Sequence, residues 1–171
     1  LTFTKQNIEF ERKENLITFN YDDLREIKLN TLAGYQVKNA CIAIEASYLL
    51  RKFFHISNQN ILDGLFCKPL DFRFEFLNKN LILDGAHNVE AIENLISEIK
   101  ELKKPVRIIF SSFKDKNINV ILPNLANSSE EVVITTFPHI RARKKDNYLL
   151  YLDDFKFFDD FEAAYNYLIF N

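Results

Sequence analysis

The last glycine of the chain, Gly85, sits where a short apolar run gives way to helical spacing. Leu81, Ile82 and Leu83 read as a buried strand, and Asp84 stands at its carboxyl end. Beyond the turn Val89, Ile92, Leu95, Ile96, Ile99 and Leu102 recur at the helical period. Strand, tight turn and amphipathic helix in that order constrain the region to an α/β unit. Open α/β sheets hold ligands outside the carboxyl ends of their strands. The turn here crowds together a carboxylate, an imidazole and an amide, from Asp84, His87 and Asn88. On the residues alone two readings stand: a ligand site, or simple helix caps, since Asp and Asn are favoured at helix starts.

The preceding stretch bears on that choice. Phe72, Phe74 and Phe76 alternate with Arg73 and Glu75, the period of a half-buried strand over 72–77. The turn Asn78-Lys79-Asn80 folds it back beside Leu81. With the Phe face buried, Arg73 is expected to point outward near Asp84, both facing one crevice.

Downstream the rhythm alternates. A buried strand is predicted over 106–110, then a strand-end loop Ser111-Ser112-Phe113-Lys114-Asp115 and a short helix within 117–126. A strand over 132–136, another over 155–158, and a helix over 161–169 capped by Asp159 or Asp160 follow. This pattern predicts an α/β domain: a Rossmann-like, mostly parallel sheet flanked by helices. Upstream, alternation over 1–4, 8–11, 16–19 and 27–29 predicts short antiparallel strands, with a turn at Glu14-Asn15. A helix over 36–54 carries the stripe Val37, Ala40, Cys41, Ile44 and Tyr48. Ile42, Ala43, Ala46, Leu49, Leu50 and Phe53 widen it, so it is expected to be largely buried. Ser57 is placed to cap a second helix, and Pro69 marks a linker and domain boundary.

Composition excludes several classes. The formal net charge of -2 argues against a general nucleic-acid or anionic-membrane binder. No apolar run approaches the roughly 20 residues that span a bilayer, and no secretory signal pattern is present. Cys41 and Cys67 lack metal-ligand spacing, so a reduced, cytoplasmic setting is the simpler reading. The three glycines, Gly34, Gly64 and Gly85, cannot supply a Gly-x-x-x-x-Gly-Lys-Ser/Thr phosphate loop or a dinucleotide fingerprint. The absence of Met leads to the expectation of a segment of a longer or processed protein. The basic run Arg141, Arg143, Lys144 and Lys145 reads as solvated surface.

Four stretches together resemble one family. Arg73-Phe74-Glu75 and Leu83-Asp84-Gly85-Ala86-His87-Asn88 are similar to the opening of the carboxyl-terminal domain of folylpolyglutamate and dihydrofolate synthases, within the Mur ligase superfamily. Gly34-Tyr35-Gln36-Val37-Lys38-Asn39-Ala40 resembles a segment near the end of that family's ATPase domain, and Lys114-Asp115-Lys116-Asn117 its Asp-Lys-Asp loop. The chain departs from the pattern at Phe72, where the family has glycine, at Tyr35, where it has histidine, and at Val89, where proline often follows.

The resemblance implies that residues 1–69 close a P-loop ATPase domain and that 70–171 form a Mur ligase-type α/β domain, clipped at its end. It implies an ATP-dependent ligase that joins glutamate to a folate or dihydropteroate carboxylate through an acyl phosphate. Magnesium ligands and phosphate loop then lie upstream, no catalytic residue lies within this stretch, and the stretch acts as a lid. Asn39, Arg73 and Asp84 are implied as ATP contacts, and His87, Asn88, Asp115 and Lys116 as glutamate contacts. A monomer is expected, without nucleic-acid or membrane partners. Rival readings are a Mur-type ligase for another amino acid, a non-catalytic nucleotide-binding module, and a receiver-like domain built on Asp84, Thr135 or Thr136, and Lys144. The receiver reading is weakened because Leu77-Asn78, not an acidic pair, ends its candidate first strand.

Overall fold

The sequence periodicities become two separately packed units, residues 1–85 and 86–171. The structure is a computed structural model and describes residues 8–67 and 70–170. The strand expected over 1–4 and the boundary placed at Pro69 lie outside the described residues.

In the first unit β1 (Phe10–Lys13), β2 (Leu16–Tyr21) and β3 (Leu24–Leu29) form an antiparallel sheet in chain order. Glu14, in the turn between β1 and β2, takes the left-handed conformation that closes it, with φ 58°. The two-residue period of β2 sends Ile17, Phe19 and Tyr21 inward. They meet α1 (Tyr35–Leu50) and α2 (Asn58–Leu65) in one core with Leu24, Ile27, Leu29, Val37, Ala40, Cys41, Ile44 and Ile61. Ser57 caps α2 in a reciprocal capping box with Asn60, as its position before the helix predicts.

The expectation of a largely buried first helix fails. A sheet covers one side of a helix, and in this unit it covers the stripe Val37, Ala40, Cys41 and Ile44. Ile42, Leu49, Leu50 and, past the helix end, Phe53 are exposed. The unit ends in an antiparallel hairpin of β4 (Glu75–Asn78) and β5 (Leu81–Leu83). The strand expected over 72–77 therefore starts three residues late. Phe72 and Phe74 have φ of 58° and 52°, which no strand accommodates. Of the three phenylalanines only Phe74 is buried.

The second unit holds α3 (Val89–Glu101), β6 (Arg107–Phe110), α4 (Ile118–Ala126), β7 (Glu131–Thr135), β8 (Lys156–Phe158) and α5 (Phe161–Phe170). β6, β7 and β8 are parallel and lie in that order. Alternation along β7 distributes the core: Val132 and Ile134 face Ile92, Ile118, Ile121, Leu122 and Leu125 of α3 and α4. Val133 faces Ala164 and Leu168 of α5 on the other side. The result is the expected parallel sheet with helices on both faces. Asp160, rather than Asp159, caps α5 by accepting from the Ala163 N–H at 2.8 Å. A 3-10 helix over Lys145–Tyr151, not anticipated from the sequence, drops Tyr148 into the core. Among the described residues no helix is long and apolar enough to cross a membrane.

Candidate functional site

Around Arg73 the backbone makes a tight bend fixed by bonds from the Asp84–Gly85 turn. The Gly85 N–H donates to the Phe72 carbonyl at 2.8 Å. Asp84 Oδ2 accepts the Phe74 N–H at 2.8 Å, and the Glu75 carboxylate accepts the Phe72 N–H at 2.9 Å. These bonds hold the residues on either side of Arg73 in the left-handed region, at a cost of about 1–2 kcal/mol for each non-glycine residue. Phe72, which stands in place of a glycine by resemblance, is one of them. Gly85 allows a close approach here: a Cβ would stand 3.1 Å from Arg73 Nη1 and 3.3 Å from the Phe72 carbonyl oxygen, tight enough that the guanidinium would have to shift by a few tenths of an ångström. The glycine is thus the floor under the guanidinium.

Asp84 reaches a second element of the same unit. The Tyr35 hydroxyl donates to Asp84 Oδ2 at 3.3 Å. Asn39 lies one helical turn beyond Tyr35 on α1, so the two share a face. It is exposed, and its amide nitrogen donates to Gln36 Oε1 at 2.9 Å. The three residues assigned to nucleotide, Asn39, Arg73 and Asp84, therefore lie in one packing unit. Tyr35, noted in the sequence only as a departure, is what ties α1 to the Asp84 turn. The shared crevice takes a different form from that expected. A crevice of about 180 Å³ is lined by Arg73, Asp71, Glu75, Asn15, Asn30 and Thr31 but not by Asp84. Arg73 and Asp84 are instead joined through the backbone of Phe74 and Gly85.

The other four candidates lie in the second unit. Asn88 caps α3, its Oδ1 accepting the Ala91 N–H at 2.8 Å, while its side chain also carries an NH2 donor. Capping thus describes Asn88 but not Asp84. His87 is exposed just before it. Asp115 and Lys116 follow β6 at the carboxyl end of the parallel sheet. Asp115 pairs with Lys116 at 2.9 Å and with Arg141 at 3.1 Å. Hydrogen bonds from Lys116 and then Arg141 hold its carboxyl down at about 2.

The basic run is largely solvated, as its composition suggests, with Arg141, Lys144 and Lys145 exposed, but two of its arginines also have fixed partners. Arg141 pairs with Asp115, Ala142 is fully buried and bridges to Phe113, and Arg143 donates to two carbonyls of the Lys114–Lys116 turn. Net charge in a run says nothing about partners, and no local pattern marked these. β5 pairs antiparallel with β4, so Asp84 follows the second strand of a hairpin. Among the described residues no three His, Cys, Asp or Glu side chains converge as a metal site.

Comparison with known proteins follows the same lines. The family "Mur ligase, glutamate ligase domain" matches residues 72–169. A dihydrofolate synthase/folylpolyglutamate synthase of Bacillus subtilis is 30% identical over 128 residues, 71% of this chain and 29% of the relative. E. coli FolC in complex with ADP superposes with a TM-score of 0.70 at 24% identity, over 95% of this chain and 40% of that one. A bifunctional folylpolyglutamate synthase/dihydrofolate synthase with Mn, AMPPNP and L-glutamate bound gives a TM-score of 0.69 at 22% identity, over 95% of this chain and 39% of that one. The chain thus spans under a third of the curated relative and about two fifths of the solved chains. From these matches and the geometry above, the chain belongs to the Mur ligases and carries their glutamate ligase domain.

Proposed function

We propose that the chain serves an ATP-dependent ligase that adds glutamate to a folate or dihydropteroate carboxylate, its first unit facing nucleotide and its second facing glutamate. The observation that carries this reading is the bend at Arg73, seated on Gly85 and locked by Asp84 and the Phe72 carbonyl. Non-glycine residues are held there in left-handed backbone to aim one guanidinium, an expense that a surface arginine does not need.

A guanidinium presents a planar fork of donors suited to phosphate oxygens. A carboxylate accepts hydrogen bonds on both of its oxygens, the chemistry that suits the hydroxyls of a ribose, and Asp84 is assigned that role. Asn39 offers both donor and acceptor for a base or sugar. ATP with magnesium supplies the phosphoryl group that turns a carboxylate into an acyl phosphate. The donor set fits the nucleotide part of that pair, and the metal ligands belong to other parts of the ligase. Arg73 orients phosphate and Asp84 the sugar, the stretch closing as a lid that keeps water from the activated carboxylate. In the second unit His87, the Asn88 amide and Lys116 take the carboxylates of the incoming glutamate, and Asp115 keeps Lys116 aimed.

With no phosphate loop in its sequence, the 171-residue chain alone is expected to release no phosphate from ATP with magnesium, a folate and glutamate. The direct test is Arg73→Ala in the full-length ligase, compared with Lys79→Ala in the exposed hairpin turn. Loss of a charge-assisted contact predicts turnover lowered roughly ten- to a hundred-fold at saturating ATP. Equal turnover in the two variants, with folding intact by thermal melts, makes Arg73 an ordinary surface residue and removes the reading's main support.

A further inference from the structure

Arg143 belongs to the basic run and to none of the stretches that carry the family resemblance, yet it is bonded on both sides of Asp115 at the carboxyl end of the parallel sheet. Its Nη2 donates to the carbonyls of both Lys114 and Lys116, each at 2.8 Å. Its own N–H donates to the Ser112 carbonyl at 2.9 Å, and its carbonyl accepts the Thr136 hydroxyl at 2.7 Å. The guanidinium lies over the ring of the fully buried Tyr148, 5.9 Å from its centroid. One nitrogen thus draws two carbonyls, one residue apart from Asp115 on each side, to a single point.

Arg141 works on the same turn from outside. Its carbonyl accepts the Lys114 N–H at 2.9 Å, its guanidinium pairs with Asp115 at 3.1 Å, and it stacks on Phe113 at 4.8 Å. Between them Ala142 bridges to Phe113. The Lys114–Lys116 turn is therefore held through its main chain by Arg143 and through its carboxylate by Arg141. Asp115 passes that constraint to the Lys116 ammonium at 2.9 Å, leaving the Lys116 side chain 22% exposed. All of this lies where open α/β sheets present groups to ligands. Arg143 Nε is kept there buried and without a hydrogen-bond partner.

We infer that Arg143, seconded by Arg141, is a positioning residue for the amino-acid substrate: it fixes the Lys114–Lys116 turn so that Lys116 meets a carboxylate of an acidic amino acid. This rests on the assignment of the second unit to glutamate. Arg143 does not touch substrate; it acts through two carbonyls, and Arg141 through Asp115.

The test uses the full-length ligase with Arg143→Met, which keeps an apolar stem on Tyr148 and removes the donors. Arg143→Lys restores an ammonium that can reach carbonyls, and Lys145→Met removes a neighbouring charge from the same basic run. Arg143→Met is expected to raise the KM for glutamate roughly tenfold and to leave the KM for ATP within about twofold, the loss of one charge-assisted hold. Arg143→Lys is expected to recover most of the loss, and Lys145→Met to match the parent. Amide hydrogen exchange is expected to quicken across 113–117 in Arg143→Met and nowhere else. Unchanged exchange there, equal shifts in both KM values, or quickened exchange with an unchanged KM for glutamate each overturn the inference. A parent enzyme that ligates no amino acid at all instead overturns the functional assignment beneath it, and is seen before any variant is made.

Discussion

The Arg73 bend and the Lys114–Lys116 turn each present a cation from a loop held by hydrogen bonds to its main chain, and they are built by different means. In the first unit one main-chain bond and one side-chain acceptor do the holding: Gly85 N–H donates to the Phe72 carbonyl and Asp84 Oδ2 accepts the Phe74 N–H, with Phe72 and Phe74 in left-handed conformations. In the second unit side-chain cations hold the turn, Arg143 on two carbonyls and Arg141 and Lys116 on Asp115. Backbone bonds to a half-buried carboxylate give a fixed seat that strains its residues. Exposed ion pairs give a seat that yields to salt and acid. A phosphate contact wants the first kind of support, because misplacing an oriented donor loses the transition state.

The comparison can be broken most sharply at Asp84. Asp84→Ala leaves the Phe74 N–H without its acceptor, and is expected to lower the stability of the first unit by about 1–3 kcal/mol in chemical denaturation. A loss near zero would show that the bend does not depend on this bond. Next in size, Phe72→Gly should stabilise the first unit by about 1 kcal/mol, because strain is relieved at a residue 56% exposed that has little packing to lose. Destabilisation there would mean that Phe72 is held by packing and not tolerated despite strain. Tyr35→Phe, removing a long bond of 3.3 Å, is expected to cost about 0.5 kcal/mol and to loosen the tie between α1 and the Asp84 turn in hydrogen exchange.

The smallest effect belongs to the charged turn. Asp115 titrates at about 2 where an ordinary aspartate titrates at 3.8, held down by Lys116 and then Arg141. A depressed carboxyl tightens the turn fully above about pH 4, and that tightening is lost as pH falls through about 2. Arg141→Gln should return the titration toward the ordinary value in a carboxyl-carbon NMR experiment. Raising salt to about 1 M, which shrinks the screening length to roughly 3 Å, should quicken exchange across 113–117 and leave the Arg73 bend unchanged. Equal response of the two loops would erase the distinction.

Much of this molecule is written locally. The two-residue period of β2, the Ser57 capping box and the apolar spacing of α3 need no knowledge of the rest of the chain, and each appears where the sequence puts it. The turn Leu83-Asp84-Gly85 was legible for the same reason. Arg73 was legible as a residue but not in its geometry. The Phe alternation is a real two-residue signal, yet Phe72 and Phe74 take their conformation from Gly85 and Asp84, ten or more residues ahead. Arg141 and Arg143 were illegible because their partners are main-chain carbonyls and one carboxylate brought in by the β6–α4 connection. The exposed Ile42, Leu49 and Leu50 show the opposite error, an apolar count read as burial without a surface to provide it.

The central claim is that nucleotide and amino acid are read by different units, through Asp84 with Arg73 and through Lys116. Steady-state kinetics of Asp84→Asn and Lys116→Met in the full-length ligase tests it most directly. Asp84→Asn should raise the KM for ATP and leave that for glutamate within about twofold, and Lys116→Met should do the reverse, each main shift being roughly tenfold or more. Both variants moving the same constant, or each moving the other's, would contradict the account.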